Sequence, residues 1–567
     1  MSTLDWIVLF GTLILIAGYG IYKTYGPKDL DSYLRGRNSM NWWTIGLSIM
    51  ATQASAITFL STPGQAYQDG MRFIQFYFGL PLAMIIISVV FIPMYYKLKV
   101  YTAYEYLEDR FDLKTRTLAA LLFIIQRGLA AGITIYAPAI ILSTLLGWNL
   151  TLTNILIGAV VIIYTVSGGT EAVSITQKQQ MAVMMGGMIL AGIIVIQMLP
   201  ISFQESLHVA GKMDKLNIVN FEFDVSDRYN VWSGVTAALF LFLSYFGTDQ
   251  SQVQRYLSGQ TVAQSRMGLI MNGFLKIPMQ FVILFIGVMV FVFYQFYQPP
   301  VVFNSVQTEN LRNSEYSEEF SELESEYSAA FEESKASYLE MLSAIDAKDE
   351  AKETQLQAEL QNLKVEQEEI RDEVKALILK NDPDAETRDT DYVFMRFVMD
   401  NLPTGIIGLL FAVIFSAAMS STASELNALG STTTVDLYKR SIKKDSTDKH
   451  YLLSSKAFTA FWGLGAILFA TYASLFENLI QAVNLLGSLF YGTILGMFMV
   501  GFFMKWIKGR AVFIGALLSE ALILLIHFRN GEGLFGFHWD IGYLWYNAIG
   551  CLSVMLFAMI IQVTQKK

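Results

Sequence analysis

Ala51-Thr52-Gln53-Ala54-Ser55-Ala56-Ile57-Thr58 sits in the middle of an apolar run, 42–60, and its reading decides the fold. Five of these eight residues are polar or weak helix formers, and polar groups at the centre of a bilayer are expensive. A helix broken here frees backbone carbonyls that can coordinate a cation, an arrangement tolerated at membrane depth only where it lines a cavity. The same residues also suit a close helix–helix interface of small side chains, which is common in membrane bundles. A second stretch is of the same kind: Ser416-Ala417-Ala418-Met419-Ser420-Ser421-Thr422-Ala423-Ser424. Ser420 and Ser424 share a helix face one turn apart, with Ser421 beside them. Hydroxyl and carbonyl oxygens without a carboxylate suit a dehydrated monovalent ion. Packing remains the alternative for either stretch alone; two such stretches on separate helices favour sodium.

Composition agrees with a bilayer setting. Of the 567 residues 53% are apolar and only 16% charged, against about 25% charged in a soluble domain. The apolar residues fall in blocks of roughly 17 to 28, long enough to cross a hydrocarbon core of about 30 Å. Cys551 is the only cysteine, which excludes an intrachain disulfide and a thiol-rich metal centre. His208, His450, His527 and His538 have no ligand spacing, and no nucleophile–base pair or metal cluster marks an enzyme. No nucleic-acid partner is expected. The first block follows only Met1–Asp5, with no basic leader, and is expected to be a retained helix.

The fold class is therefore all-α, a polytopic membrane protein with about 13 transmembrane helices. The expected spans are 6–22, 42–60, 73–96, 118–146, 155–166, 181–199, 231–246, 269–293, 406–424, 458–475, 479–503, 511–526 and 543–561. Basic residues concentrate in alternate loops, among them Lys23, Lys28, Arg35, Arg37, Lys97, Lys99, Arg110 and the group Lys439 to Lys449. Their excess over the opposite loops is roughly five to one, which puts the N-terminus outside and the C-terminus in the cytoplasm of a multi-pass protein of the cell (inner) membrane.

One segment, 304–390, breaks the membrane pattern and holds most of the acidity. Phe320, Leu323, Tyr327, Phe331, Tyr338, Leu342 and Ile345, then Leu356, Leu360, Leu363, Ile370, Val374 and Leu377, recur at intervals of three and four, with Gln367 at one seam position. That spacing predicts a coiled-coil-like helical hairpin folded back near 346–350 and projecting on the outer face. It is either a solvated spacer or a docking arm for an extracytoplasmic partner or a second copy of the chain.

Two cations lie inside apolar spans, Arg127 and Lys276, too deep for simple snorkelling. Each is read either as a recognition group for a solute carboxylate or hydroxyl, or as half of a buried ion pair, for which Asp249 and Glu171 are the acids in reach.

The sequence resembles the sodium/solute symporters, the family of sodium–glucose, sodium–sialic acid, sodium–iodide and sodium–multivitamin carriers. The resemblance rests on 51–59 with Thr62-Pro63-Gly64 after it, on Gly247-Thr248-Asp249-Gln250-Ser251-Gln252-Val253-Gln254-Arg255-Tyr256, on Tyr136-Ala137-Pro138-Ala139, and on the serine stretch leading to Asp436-Leu437-Tyr438-Lys439. It covers nearly everything but the 304–390 insert. It implies an inverted five-plus-five helix repeat of the amino-acid-transporter type, working by alternating access. The implied organisation is an extra helix and cytoplasmic loop over 1–40, core over 41–303 and 391–505 on either side of the insert, and two further helices over 506–567. The family's shared sodium site maps onto carbonyls of Ala51, Ala54 and Ala417 and hydroxyls of Ser420 and Ser421. Its inner aromatic gate maps onto Tyr245, with Phe246 adjacent, and its substrate-contacting lysine onto Lys276.

Further solute-site candidates are Thr52, Gln53, Gln75 and Arg127, with Thr58, Tyr77 and Val483 at the positions where sugar carriers place their polar contacts. Those three residues depart from the sugar pattern. Arg127 lies one turn before the arginine of sialic acid carriers. The second sodium site of some members is disrupted here by Thr176-Gln177 and Ala423. The expectation is symport of a small polar or anionic organic solute, a carboxylate or polyol, with one sodium per cycle. The alternatives are a carrier-fold sensor signalling through the insert and a sodium-coupled sugar carrier.

Overall fold

The computed structural model describes residues 1–23, 29–36, 39–146, 148–383, 385, 387, 389–471, 479–531 and 538–565. Among the described residues every regular element is helical. Ten helical stretches are long and apolar enough to cross a membrane, and two shorter apolar helices, Leu150–Ile163 and Ser233–Gly247, fall at the expected fifth and seventh spans.

Helix α1 (Thr3–Lys23) precedes a broken pair, α2 (Trp42–Gln53) and α3 (Ala56–Asp69). After a further apolar stretch ending at Leu98 come α4 (Leu113–Leu146) and α5 (Leu150–Met198). A second broken pair follows, α6 (Ala238–Gly247) and α7 (Gln250–Leu257), then α8 (Val262–Phe296). The hairpin is α9 (Ser317–Ala347) and α10 (Glu350–Asn381). The chain returns through α11 (Ile406–Thr432), α12 (Asp448–Ala470), α13 (Leu479–Phe503), α14 (Gly509–Phe528) and α15 (Trp545–Thr564).

The expected span 42–60 is thus two helices, and it runs on to Asp69. Ala54 (φ −82, ψ 79) and Ser55 (φ −78, ψ 171) leave helical geometry between them. The interruption recurs at Thr248 (φ −129, ψ −17), after which Asp249 caps α7 by accepting from the Ser251 N–H at 2.8 Å. Four apolar helical stretches separate the two breaks: the one ending at Leu98, α4, and the two halves of α5. The second broken helix is therefore the fifth after the first and crosses in the opposite sense, which is the signature of an inverted repeat.

The halves of α5 meet at Gly169, whose φ of 66 is open only to glycine at low cost. A Cβ there would lie 2.6 Å from the Tyr33 ring. This kink separates the expected spans 155–166 and 181–199, and the helix between them is continuous to either side of it. The expected end of the 458–475 span beyond Thr471, and the loop residues Lys28 and Arg37, lie outside the described residues.

The hairpin forms as the seam predicts. Phe320, Leu323, Tyr327, Phe331, Tyr338, Leu356, Leu360, Ile370, Val374 and Leu377 are all buried. Gln367 fills its seam position by donating from Nε2 to the Ala330 carbonyl at 3.2 Å. The turn is Lys348, with φ of 57, followed by Asp349, which accepts from the Lys352 N–H. Its placement differs from a projecting arm. The turn end lies down on the membrane body: Tyr338 meets Phe296, Glu353 pairs with Lys212 at 2.6 Å, and Gln357 donates to the Lys212 carbonyl at 2.6 Å. At the other end Arg371 sits over the Phe303 ring and donates to the Pro300 carbonyl, so docking gives these side chains partners where a free arm would leave them in water.

Candidate functional site

Helix α11 packs against α5, α4, α2 and α3, so its small serine-rich face reaches the first break. Two hydrogen bonds join oxygens from distant parts of the chain, and a third lies within α11. Ser420 Oγ donates to the Ala51 carbonyl at 3.0 Å, and Thr52 Oγ1 lies 3.0 Å from Ser424 Oγ. Ser421 Oγ donates to the Ala417 carbonyl at 3.0 Å. Ala51, Ala54, Ala417, Ser420 and Ser421 are all buried. Small residues permit this approach, so the packing and ion-binding readings of these stretches are compatible: close helices are what bring the oxygens together. The oxygens of this cluster are hydroxyls and carbonyls, so it is uncharged.

Gln177 of α5 braces the same junction. Its Nε2 donates to Thr52 Oγ1 at 3.0 Å, Ser424 Oγ at 2.8 Å and the Ser420 carbonyl at 3.2 Å, while Oε1 accepts from Ser48 Oγ at 2.5 Å. An amide nitrogen facing three acceptors occupies space where a cation could sit, and it ties three helices together without carrying a charge.

Beside the junction lies a cavity of about 90 Å³. Thr52, Gln53, Thr58, Tyr77, Arg127, Tyr245 and Val483 all line it, as do Ser421, Phe76, Phe242, Glu425, Asn484 and Tyr491. Thr52 and Ser421 thus belong to both the oxygen cluster and the cavity. Phe246 stands behind Tyr245, ring centroids 4.8 Å apart, and does not line the cavity. Gln75 is elsewhere: its amide donates to the Tyr229 carbonyl at 2.7 Å and accepts from the Asn220 N–H at 2.8 Å, pinning a loop. Lys276 lies behind the wall, its Nζ 5.8 Å from the centre of the Tyr77 ring.

Arg127 is held by two carboxylates. It pairs with Asp249 and, at 3.0 Å, with Glu425, and it also donates to Tyr491, whose hydroxyl donates to Asp249 at 2.9 Å. Glu171, considered in the sequence, takes no part; it lies against Gly36. Glu425, Asn484 and Tyr491 line the cavity and are absent from the candidates read in the sequence. Glu425 had a signal, because a carboxylate one residue past the serine stretch is still inside α11. It was passed over because the expected span stopped at Ser424. Tyr491 and Asn484 had none, since one more Tyr or Asn in a span is unremarkable until its neighbours are known.

Three buried polar atoms of cavity-lining residues, Gln53 Oε1, Arg127 Nε and Glu425 Oε2, have no hydrogen-bond partner among the described residues, and neither does Lys276 Nζ behind the wall. Buried polar groups are nearly always satisfied, so such a cluster marks where a ligand or water completes the set. A broken helix crossed by hydroxyls, beside a cavity lined by aromatic and polar side chains, is the arrangement that secondary carriers use.

The chain belongs to the sodium:solute symporter family, whose model matches residues 33–316 and 381–519. The interval between the two matched parts is the hairpin. The chain is 27% identical over 564 residues to a sodium/sialic acid symporter of Proteus mirabilis, covering 98% of this chain and 93% of that one. It is also 27% identical over 525 residues to the mouse (Mus musculus) sodium-coupled monocarboxylate transporter 1, covering 92% and 72%. A solved structure of a sodium-coupled sialic acid symporter in a substrate-bound outward-open state shares the fold, with a TM-score of 0.76 at 24% identity over 99% of this chain and 98% of that one. The resemblance read from the motifs is thereby borne out, and the protein is a multi-pass, sodium-coupled membrane symporter.

Proposed function

We propose that the protein carries one sodium ion per cycle together with a small organic acid. In this reading the ion is cargo, held by carbonyls of Ala51, Ala54 and Ala417 and hydroxyls of Ser420 and Ser421. The observation that carries it is the Ser420 hydroxyl on the Ala51 carbonyl, across the helix break and next to the cavity. An ion taking both oxygens replaces one hydrogen bond with a stronger clasp between α2 and α11. That clasp holds the cavity wall, because Thr52 and Ser421 belong to both. Gln177 supports a stoichiometry of one, since its amide fills the neighbouring acceptor cluster.

The charge balance supports an acid as solute. Nearest the cavity, the buried cations Arg127 and Lys276 are matched in number by the buried carboxylates Asp249 and Glu425, with Arg255 a further buried cation at the far end of α7. A sodium ion adds one positive charge, and a monocarboxylate cancels it. A neutral solute would leave the loaded site with an uncompensated charge in a low-dielectric interior. Arg127, on the cavity wall, is the cation that faces the solute and is already shared between Asp249 and Glu425, while Lys276, with no hydrogen-bond partner among the described residues, adds its charge from behind the Tyr77 wall. The named solutes of the relatives, sialic acid and monocarboxylates, are acids as well. The loop charges support a cell (inner) membrane protein with its N-terminus outside and its C-terminus in the cytoplasm.

A tenfold sodium gradient supplies about 1.4 kcal/mol, and 100 mV adds about 2.3 kcal/mol per charge moved. One ion with a neutral solute uses both terms and sustains roughly 500-fold accumulation; one ion with a monoanion is electroneutral and sustains about tenfold. Uptake and current measured together in proteoliposomes therefore test the reading. Sodium-dependent uptake of a monocarboxylate without current is expected. Uptake that persists when choline replaces sodium, or a current of one charge per monocarboxylate, overturns it.

A further inference from the structure

A second and larger cavity, about 630 Å³, lies between the hairpin and the membrane body. It shares no lining residue with the central cavity. The two are linked by α3, which presents Ile57 and Thr58 to one and Gln65 and Asp69 to the other, about 15 Å apart at 1.5 Å per residue.

The charges of the hairpin segment are not distributed evenly around this space. Residues 304–390 include 24 acidic and nine basic side chains. Among the described residues, three of the basic ones line the cavity, Lys364, Arg371 and Lys375, and only three of the acidic ones. The carboxylates facing it are engaged close at hand. Asp389 accepts from the Phe303 N–H at 2.9 Å, Asp372 pairs with Lys375 at 2.7 Å, Glu368 lies 3.7 Å from Lys364, and Asp69 accepts from Gln65.

Of the five cations lining the cavity, Lys215, Arg228 and Arg371 have no carboxylate within ion-pair distance among the described residues; Arg228 is taken up by Gln481, to which it donates at 2.6 Å, which leaves Lys215 and Arg371. Lys215, on the membrane body, is 5% exposed; its Nζ donates to the Gln68 carbonyl and sits 4.6 Å from the centre of the Phe291 ring. Arg371, on α10, sits 5.0 Å from the Phe303 ring centre; it donates to the Pro300 carbonyl at 3.2 Å, and its buried Nε has no partner. Burial and the like charge of Lys364 push the Lys215 ammonium down to about 8. An incoming negative charge relieves both effects.

We propose that this cavity binds a small organic carboxylate with an aromatic or apolar body, its carboxylate between Lys215 and Arg371 and its body against Phe291, Phe303 and Tyr327. The acidic residues on the outer hairpin faces do not prevent this. They are in solvent and screened over about 8 Å at physiological salt, whereas the two unpaired cations are not. The site needs no sodium. Its use as a staging post for the central cavity rests on the proposed acid cargo; the binding itself does not.

The test is equilibrium binding of benzoate to the full-length protein in lipid nanodiscs, in sodium-free choline buffer at pH 7, with benzamide as the neutral isostere. Saturable benzoate binding is expected, with benzamide at least about tenfold weaker, and Lys215→Met and Arg371→Gln each weakening benzoate about tenfold. Equal binding of benzamide, or benzoate affinity unchanged in both variants, overturns the proposal. Should either variant fail to fold, Lys215→Arg decides: it keeps the charge and retains affinity within about threefold, and a tenfold loss there also overturns it. Sodium-dependent uptake is scored separately, so benzoate binding without uptake would sink the symport reading alone, and uptake without benzoate binding would sink this one alone.

Discussion

Between α4, α7 and α11 the guanidinium of Arg127 meets Asp249 and Glu425, all three of them buried. Removing one member of such a buried group is costly, about 3–5 kcal/mol, because the partners stay behind unpaired. Loss of uptake in Arg127→Gln therefore does not by itself make Arg127 a solute ligand. The expected outcome is that Arg127→Gln lowers the melting temperature of the purified protein and that Arg127→Gln/Glu425→Gln recovers at least half of the loss, since Asp249 keeps Tyr491 and Ser251. A double variant no more stable than the single one would contradict this coupling. Ser420→Ala is the complementary case. It deletes one proposed sodium ligand and one hydrogen bond, so the half-saturating sodium concentration for uptake should rise about tenfold with folding retained. An unchanged sodium dependence would remove Ser420 from the ion site. Arg127 was legible in the sequence because a cation in an apolar span stands out. Its second partner was not, because the expected span ended at Ser424 and set Glu425 outside.

At the scale of elements, two breaks and one hairpin organise the molecule. The break at Ala54-Ser55 could be read from residue types alone, as weak helix formers in mid-span. The one at Thr248 could be read only as a motif, since Gly247-Thr248-Asp249 looks like an ordinary span end until α7 is seen to continue buried beyond it. The seam and turn of the hairpin were legible for the same reason that coiled coils are: spacing alone fixes which face is buried. Its docking was not, because Lys212, Glu353 and Gln357 are ordinary surface residues until they meet. The turn residue Lys348 adopts a left-handed conformation that glycine enters more readily. Lys348→Gly should therefore stabilise the hairpin by up to about 1 kcal/mol, read as slower amide hydrogen exchange in α9 and α10. Faster exchange would mean that the lysine side chain contributes more than the backbone loses.

Across the whole molecule, charge is sorted by compartment: acid residues on the hairpin, basic residues in alternate loops, and in the core Arg127 and Glu425 on the central cavity with Asp249 and Lys276 behind its wall. The cavity under the hairpin should report this through pH. Lys215, at about 8, faces Lys364, Asp69, Glu368 and Asp214. Below that value it is protonated and binds an anion; as pH rises through it the charge is lost. Benzoate affinity should thus be flat below pH 7 and fall between pH 7 and 9. Stability of the ligand-free protein has the opposite sign. The unfolded lysine still holds its proton above pH 8, so stability rises between about 8 and 10.5. Affinity and melting temperature measured over the same pH series check both signs, and a parallel trend would exclude Lys215 as the titrating group.

The sequence by itself determined the solvent, the element type and the two helices that meet. Apolar run length, polar interruptions and seam spacing are properties of contiguous residues, and the bilayer converts them directly into structure. Only the tertiary structure decided which charges are spent on one another, where the hairpin lies, and that Lys276 and Lys215 have no carboxylate partner among the described residues. Those outcomes depend on distances between residues hundreds of positions apart, such as the 3.0 Å between Arg127 and Glu425, and no local pattern encodes them.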